Sequence, residues 1–144
     1  MIIQSVFKNN EKIPVKYTAD GENINPSINI LDSPKNTKSF VLFIEDPDAP
    51  AGTWIHWVVF DIPVNIRRIE ENSVPFGAKL GKNSMKMLDY HGPAPPSGVH
   101  RYFFKFYALD NVLDLNEGAS KPEIENAMSG HILEKTELMG VYGR

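Results

Sequence analysis

Short apolar runs alternate with polar and turn-forming residues along most of this chain, the pattern of strands joined by structured turns. Ile2 to Phe7 predicts a first strand, and Ile13 to Tyr17 a further extended stretch. Thr18-Ala19-Asp20-Gly21-Glu22-Asn23 is turn-like, and Asn25-Pro26 disfavours a helix there. From Ser27 to Leu31, Ile28 and Ile30 alternate with polar neighbours, as in a half-buried strand. Ser39 to Glu45 carries Phe40-Val41-Leu42-Phe43-Ile44, apolar on both faces, and predicts a central strand covered on both sides. If that strand stays regular, Asp46 falls on the face of Phe40, Leu42 and Ile44. Trp54 to Ile62 is the next strand, ended by Pro63, and alternation places His56, Val58 and Phe60 on one face.

Val64 to Asp89 has turn signals at Gly77, Gly81 and Asn83 and no helical period. It predicts an irregular excursion, and a long loop in a small domain is often part of a site. Gly92-Pro93-Ala94-Pro95-Pro96-Ser97-Gly98-Val99 is a stiff loop leading into a strand from Arg101 to Leu109. His100 and Tyr102 share one face there and Arg101 takes the other. Ser120-Lys121-Pro122-Glu123 is a helix start with a capping box and a first-turn proline. Ile124, Met128 and Ile132 extend it at helical spacing to about Leu133, and a last strand runs through Leu138 to Tyr142.

The length of 144 residues suits one domain, residues 1–144, with one core. The net charge is −3 and no Lys/Arg cluster stands out, which argues against nucleic acid as a partner. No apolar run approaches the roughly 18 residues that cross a bilayer, so integral membrane association is not expected. The N-terminus lacks the basic and apolar regions of a secretory signal, so a cytoplasmic location is expected. The absence of cysteine removes disulfides, thiol catalysis and cysteine-based zinc sites. An exposed edge strand would offer a route to a homodimer.

Asp46, His56 and His100 come from three separate strands or strand ends. An acid and two histidines serve a metal site, acid/base or nucleophilic catalysis with Asp orienting His, or an anion site built from oriented imidazoles and loop N–H groups. There is no Gly-x-Ser-x-Gly elbow, and Thr53, Ser84 and Ser97 are ordinary loop residues, so a nucleophile is not evident. No close histidine pair on one element strengthens a metal site, and neither a metal nor a cofactor is expected. The anion reading alone uses the rigid loop.

Asp46-Pro47-Asp48-Ala49-Pro50, His56-Trp57 and Gly92-Pro93-x-Pro95-Pro96-x-Gly98-x-His100-Arg101-Tyr102, in this order, resemble the signatures of the phosphatidylethanolamine-binding protein family. That family includes the Raf kinase inhibitor proteins and the plant flowering-time regulators. Tyr17 to Pro26 is similar to its N-terminal segment, and the compact length resembles its bacterial and archaeal branch. The resemblance implies a mainly β fold, a two-sheet antiparallel Greek-key sandwich with a C-terminal helix. It implies a pocket for phosphate-like anions and phospholipid head groups, built from Asp46, Asp48, Pro50, His56, Gly92, Pro93, His100 and Tyr102. It also implies a non-catalytic protein that binds or inhibits a kinase or a serine protease. The alternative is a serine protease inhibitor working through surface contacts, with the pocket incidental. The chain departs from the family pattern at Ala94, commonly Cys in prokaryotic members, and at Ser84-Met85-Lys86-Met87, which lacks an expected Phe-Gly. Ile28-Asn29-Ile30 lacks an expected Trp. His91 replaces a small residue and is expected to point to solvent.

Overall fold

The computed structural model describes residues 1–144. In chain order the elements are β1 (Ile2–Gln4), a 3-10 turn (Val15–Tyr17), β2 (Ile28–Leu31), β3 (Ser39–Asp46), β4 (Trp54–Pro63), β5 (Arg68–Ile69), β6 (Lys79–Leu80), β7 (Val99–Leu109), α1 (Lys121–Met128) and β8 (Ile132–Gly143). Two antiparallel sheets result, a small one in the order β1-β2-β5 and a large one in the order β6-β4-β3-β7-β8. The mainly β architecture with one late helix is the expected one.

The double-sided apolar run of β3 explains the layering. Phe40, Leu42 and Ile44 pack with Phe104 and Phe106 of β7 and with Ile3, Ile28, Ile30 and Ile69 of the small sheet. Val41 and Phe43 join Val58 and Phe60 on the opposite face, where Ile124 and Met128 of α1 cover them. The helix starts as expected: Ser120 Oγ accepts from Glu123 N at 3.2 Å, and Glu123 Oε1 accepts from Ser120 N at 3.0 Å. Along β8, residues 9–13 close the far end of the sheet edge, with Asn10 N donating to Met139 O at 2.7 Å and Ile13 N to Val141 O at 2.8 Å.

Three element expectations are corrected. The first strand ends at Gln4, because the Ser5 hydroxyl turns to the Ser27 carbonyl at 2.6 Å; Phe7 still reaches the core. Val15–Tyr17 is a 3-10 turn, closed by Tyr17 N on Pro14 O at 3.0 Å, rather than an extended stretch. The helix stops at Met128 instead of about Leu133: Gly130 adopts φ +82°, and Ile132 pairs with Leu109 of β7. Strand pairing therefore overrides the helical spacing that Ile132 shares with Ile124 and Met128.

Alternation also fails in β4. Ile44 pairs with Trp57 but Glu45 pairs with Ile55, so His56 is an extra residue in the ladder, a β-bulge. Val58 and Phe60 stay on the helix side, while His56 turns against Tyr102, ring centroids 5.3 Å apart. The expected common face of His56, Val58 and Phe60 does not form. On β3, Asp46 does lie toward the β7 residues of the main core, and its neighbour Glu45 lies on the other face.

Glu45 is buried and forms ion pairs with both Lys105 of β7 and Lys121 of α1. Burial pushes its carboxyl upward, but the two ammonium groups outweigh this and hold it below the ordinary glutamate range. A lowered folded-state value contributes stability that is present above the unfolded value and lost as the pH falls through the folded one. Glu45→Gln strands two cations against the sheet, and we expect a loss of about 3 kcal/mol at neutral pH, with a shallower decline below about pH 5. Urea denaturation across the pH range measures both.

Candidate functional site

The β3–β4 turn, the start of β7 and the 83–96 segment converge on one end of the sandwich. They enclose a cavity of about 270 Å³ lined by Ala19, Asp46, Ala49, Pro50, Trp54, His56, Met85, His91, Gly92, Ala94, Pro95, Pro96, His100 and Tyr102. Of the residues expected at the site, Asp46, Pro50, His56, Gly92, His100 and Tyr102 meet here. Asp48 and Pro93 do not line the cavity.

His100 is fixed by its neighbour across the strands: its Nδ1–H donates to Asp46 Oδ2 at 2.7 Å. The other oxygen of Asp46 accepts from Asp48 N at 2.7 Å, so the chain bends back at Pro47. Asp48 then accepts from Arg101 three times, from N at 2.9 Å, Nε at 2.9 Å and Nη2 at 2.8 Å. These contacts hold the Asp48 carboxyl down at about 2, through the Arg101 side chain first and its backbone N–H second. Asp48 is thus a clamp on the strand that carries His100, and its acceptor capacity is spent outside the cavity. The family resemblance placed Asp48 among the pocket residues; here the outward-facing Arg101 engages it instead.

His56 is fixed from another direction. Its Nδ1 lies 2.5 Å from the carbonyl oxygen of His91, so that nitrogen carries the proton and Nε2 is left for a ligand. Burial pushes His56 below the ordinary histidine range, and the His91 carbonyl and the Asp46 charge offset only part of this. The ring is therefore uncharged at neutral pH. His91 does not point away to solvent as expected: it lines the cavity and lends His56 its carbonyl. Its own Nε2 sits 3.2 Å from Asp89 Oδ1 but without hydrogen-bond alignment.

Between the two histidines lies Tyr102, stacked on His100 at 6.5 Å and edge-on to His56. Its hydroxyl is buried and has no partner. Burial first, and then the Asp46 charge, push the phenol well above its ordinary value, so it stays an O–H donor. Tyr102 and the two imidazole rings, each tied through Nδ1, line the cavity together.

Gly92, in the cavity wall, and Pro93, behind it, brace that wall against the 17–23 segment. Gly92 N donates to Asn23 Oδ1 at 2.7 Å, and the Pro93 carbonyl accepts from Ala19 N at 3.0 Å. A side chain at 92 would put Cβ 2.4 Å from the Tyr17 carbonyl oxygen. Glycine is thus required by close backbone approach. Besides His91, the sequence reading missed Ala19, Ala49, Trp54, Met85, Ala94, Pro95 and Pro96 as lining residues. Trp54, Pro95 and Pro96 stood within or beside recognised motifs; nothing in the local pattern pointed to Ala19 or Met85.

Known proteins resemble this chain in sequence and in fold. A family model described as "Phosphatidylethanolamine-binding protein" matches residues 3–143, and the chain belongs to that family. A UPF0098 protein of Methanothermobacter thermautotrophicus is 48% identical over 143 residues, 96% of this chain and 95% of that protein. A UPF0098 protein of Pyrococcus horikoshii is 45% identical over 150 residues, 99% of this chain and 76% of that protein. The crystal structure of a putative phosphatidylethanolamine-binding protein homologue from Chlamydia trachomatis superposes with a TM-score of 0.95 at 39% identity, covering 99% of this chain and 96% of that one. The structure of E. coli YbcL, described as a member of the mammalian PEBP family, gives a TM-score of 0.90 at 26% identity, covering 99% of this chain and 97% of that one.

The tight seat of Gly92 yields a direct test. In Gly92→Ala the wall must move off the Tyr17 carbonyl, and we expect a loss of about 1–3 kcal/mol in stability. A thermal melt reads this, and the His56 ring resonances should shift with it, since His91 and its carbonyl move with the wall.

Proposed function

We propose that this chain is a non-catalytic binding protein whose cavity takes a phosphate-like anion, free or as the head group of a phospholipid. The observation that carries the reading is the buried, unpartnered Tyr102 hydroxyl between two oriented imidazoles. A buried donor without an acceptor costs about 1–3 kcal/mol, and a ligand oxygen removes that cost. The histidines complement it. With Nδ1–H committed on each ring, a neutral Nε2 accepts from a protonated phosphate oxygen, and a protonated Nε2 donates to an ionised one. The accepting form suits inorganic phosphate, which keeps a proton near neutrality; the diester of a phospholipid head group has none and is met by N–H and O–H donors alone.

Several features favour binding over turnover. No serine, threonine or cysteine lines the cavity, so the Asp46–His100 pair has no such nucleophile beside it. Asp46 repels an anion in its own right, and its bond to His100 screens that charge from the cavity. The family's name, phosphatidylethanolamine-binding protein, points to the same chemistry. The sign of the pH dependence follows from His56. Because its folded value is lowered, the ring gains charge only toward acid, and a bound anion favours that charged form. Affinity for the anion therefore rises as the pH falls.

Titrating inorganic phosphate while following the histidine ring resonances tests the proposal. We expect His56 and His100 to respond, with tighter binding at about pH 6 than at about pH 8. Tyr102→Phe should weaken binding by about tenfold or more, the cost of losing one hydrogen bond to a charged group. Silence at both rings at both pH values would overturn the anion site.

A further inference from the structure

We infer that the chain carries a second ligand site, on the other side of the wall that His91 and Gly92 give the first cavity, and that this site takes a small uncharged polyhydroxyl compound of the monosaccharide class. The inference stands apart from the anion-binding reading and does not depend on it.

The second cavity measures about 340 Å³ and is bounded by β4 and by the 72–74 and 88–90 segments. That volume falls at the small end of ligand pockets, about 300–1,000 Å³. The two cavities share a wall. Of two successive β4 residues, His56 lines the first cavity and Trp57 the second; in the 89–92 segment, Asp89 and Tyr90 line the second while His91 and Gly92 line the first. The frame is fixed from behind. Asn25 is buried, and its side chain ties down the 70–73 loop: Nδ2 donates to Glu70 O at 3.0 Å and Oδ1 accepts from Ser73 N at 2.9 Å. Asn72 N donates to Asn25 O at 3.0 Å. Asn23 Oδ1 accepts from Gly92 N at 2.7 Å, which orients its amide and leaves Nδ2 to donate. The Tyr90 hydroxyl is spent on Tyr17 O at 2.6 Å, so Tyr90 offers only its ring, edge-on to Trp57 at 5.7 Å.

Trp57 points to a ligand. It is 1% exposed, it lines the cavity, and its indole Nε1–H is buried with no acceptor. An indole nitrogen only donates, and a buried donor left unpaired costs stability that an acceptor oxygen restores. The other polar groups of the lining are of both kinds. Asn23 Nδ2 donates, Asp89 accepts, and the Asn72 amide and the Ser73 hydroxyl do both. Only a long contact, 3.5 Å to Val74 O, occupies the Ser73 hydroxyl. A phosphate leaves the acceptors unused and meets the Asp89 charge; an ammonium group leaves the indole and amide donors unused. Hydroxyl groups donate and accept at once, so a ring carrying several of them matches this set, with Leu80 and Tyr90 against its C–H face.

The chain has two tryptophans, so its proton–nitrogen spectrum carries two indole N–H resonances, and Trp54→Phe identifies that of Trp57. The probes are D-glucose and N-acetyl-D-glucosamine, with D-gluconate as the charged counterpart and inorganic phosphate as the simple anion. We expect a saturable shift of the Trp57 indole resonance with one or both sugars and none with phosphate. D-gluconate should bind about tenfold more weakly than the sugars, because its carboxylate meets Asp89. The double variant Asn72→Gly/Ser73→Ala removes two polar side chains and lets residue 72 keep its φ of +52°. It should lower sugar affinity about tenfold or more. An unchanged thermal melt shows that it is folded; a variant that fails to fold leaves the native chain's preference for the sugars over D-gluconate to decide. No indole shift with either sugar, an undiminished affinity in the folded double variant, or equal binding of D-gluconate overturns the site.

Discussion

The site depends on a closed hydrogen-bonded ring at the ends of β3 and β7. The β3–β7 ladder stops at Glu45 opposite Phe103. Beyond that point no sheet pairing holds the two strands, and side chains take over. His100 donates to Asp46, Asp46 accepts from the Asp48 backbone, and Asp48 grips Arg101, the residue next to His100. The His100–Arg101 peptide bond closes the ring, and the fixed φ of Pro47 suits the chain reversal between Asp46 and Asp48. Removing any member loosens the seat of His100, so a residue pointing away from the cavity still sets the geometry within it.

The second histidine is placed by different means. A bulge in β4 rotates His56 out of the face that alternation assigns it, and the His91 carbonyl locks the ring. That carbonyl is in place because Gly92 presses against the 17–18 backbone with no room for a side chain. The site is therefore carried by the backbone of three segments as much as by its side chains. Such a site is pre-organised: its donors and acceptors are already fixed in position, which lowers the ordering cost that any binding there would carry.

Much of this was legible in the sequence, and the exceptions have physical reasons. The double-sided run of β3 announced a covered central strand, and Ser120 to Glu123 announced a capped helix, because both signals are local. The alternation of Arg101 and Tyr102 correctly separated the outward side chain from the inward one. His56 was assigned to the wrong face because a bulge is a property of pairing, invisible to a period-two count. Asp48 was taken for a pocket residue because the motif shows which residues occur together and not which of them are already engaged. His91 was assigned to solvent because its contribution is a backbone carbonyl, which no side-chain pattern reveals. The end of α1 was misplaced because Ile132 fits a helical stripe equally well until Leu109 pairs with it.

The central claim is that the Tyr102 hydroxyl and two tethered imidazoles form one anion site. Its most direct measurement is a crystal structure determined with saturating inorganic phosphate. The account predicts one phosphate in the cavity, with oxygens about 3 Å from the Tyr102 hydroxyl and from Nε2 of both His56 and His100. An empty cavity under those conditions, or a phosphate bound only elsewhere on the chain, would contradict it.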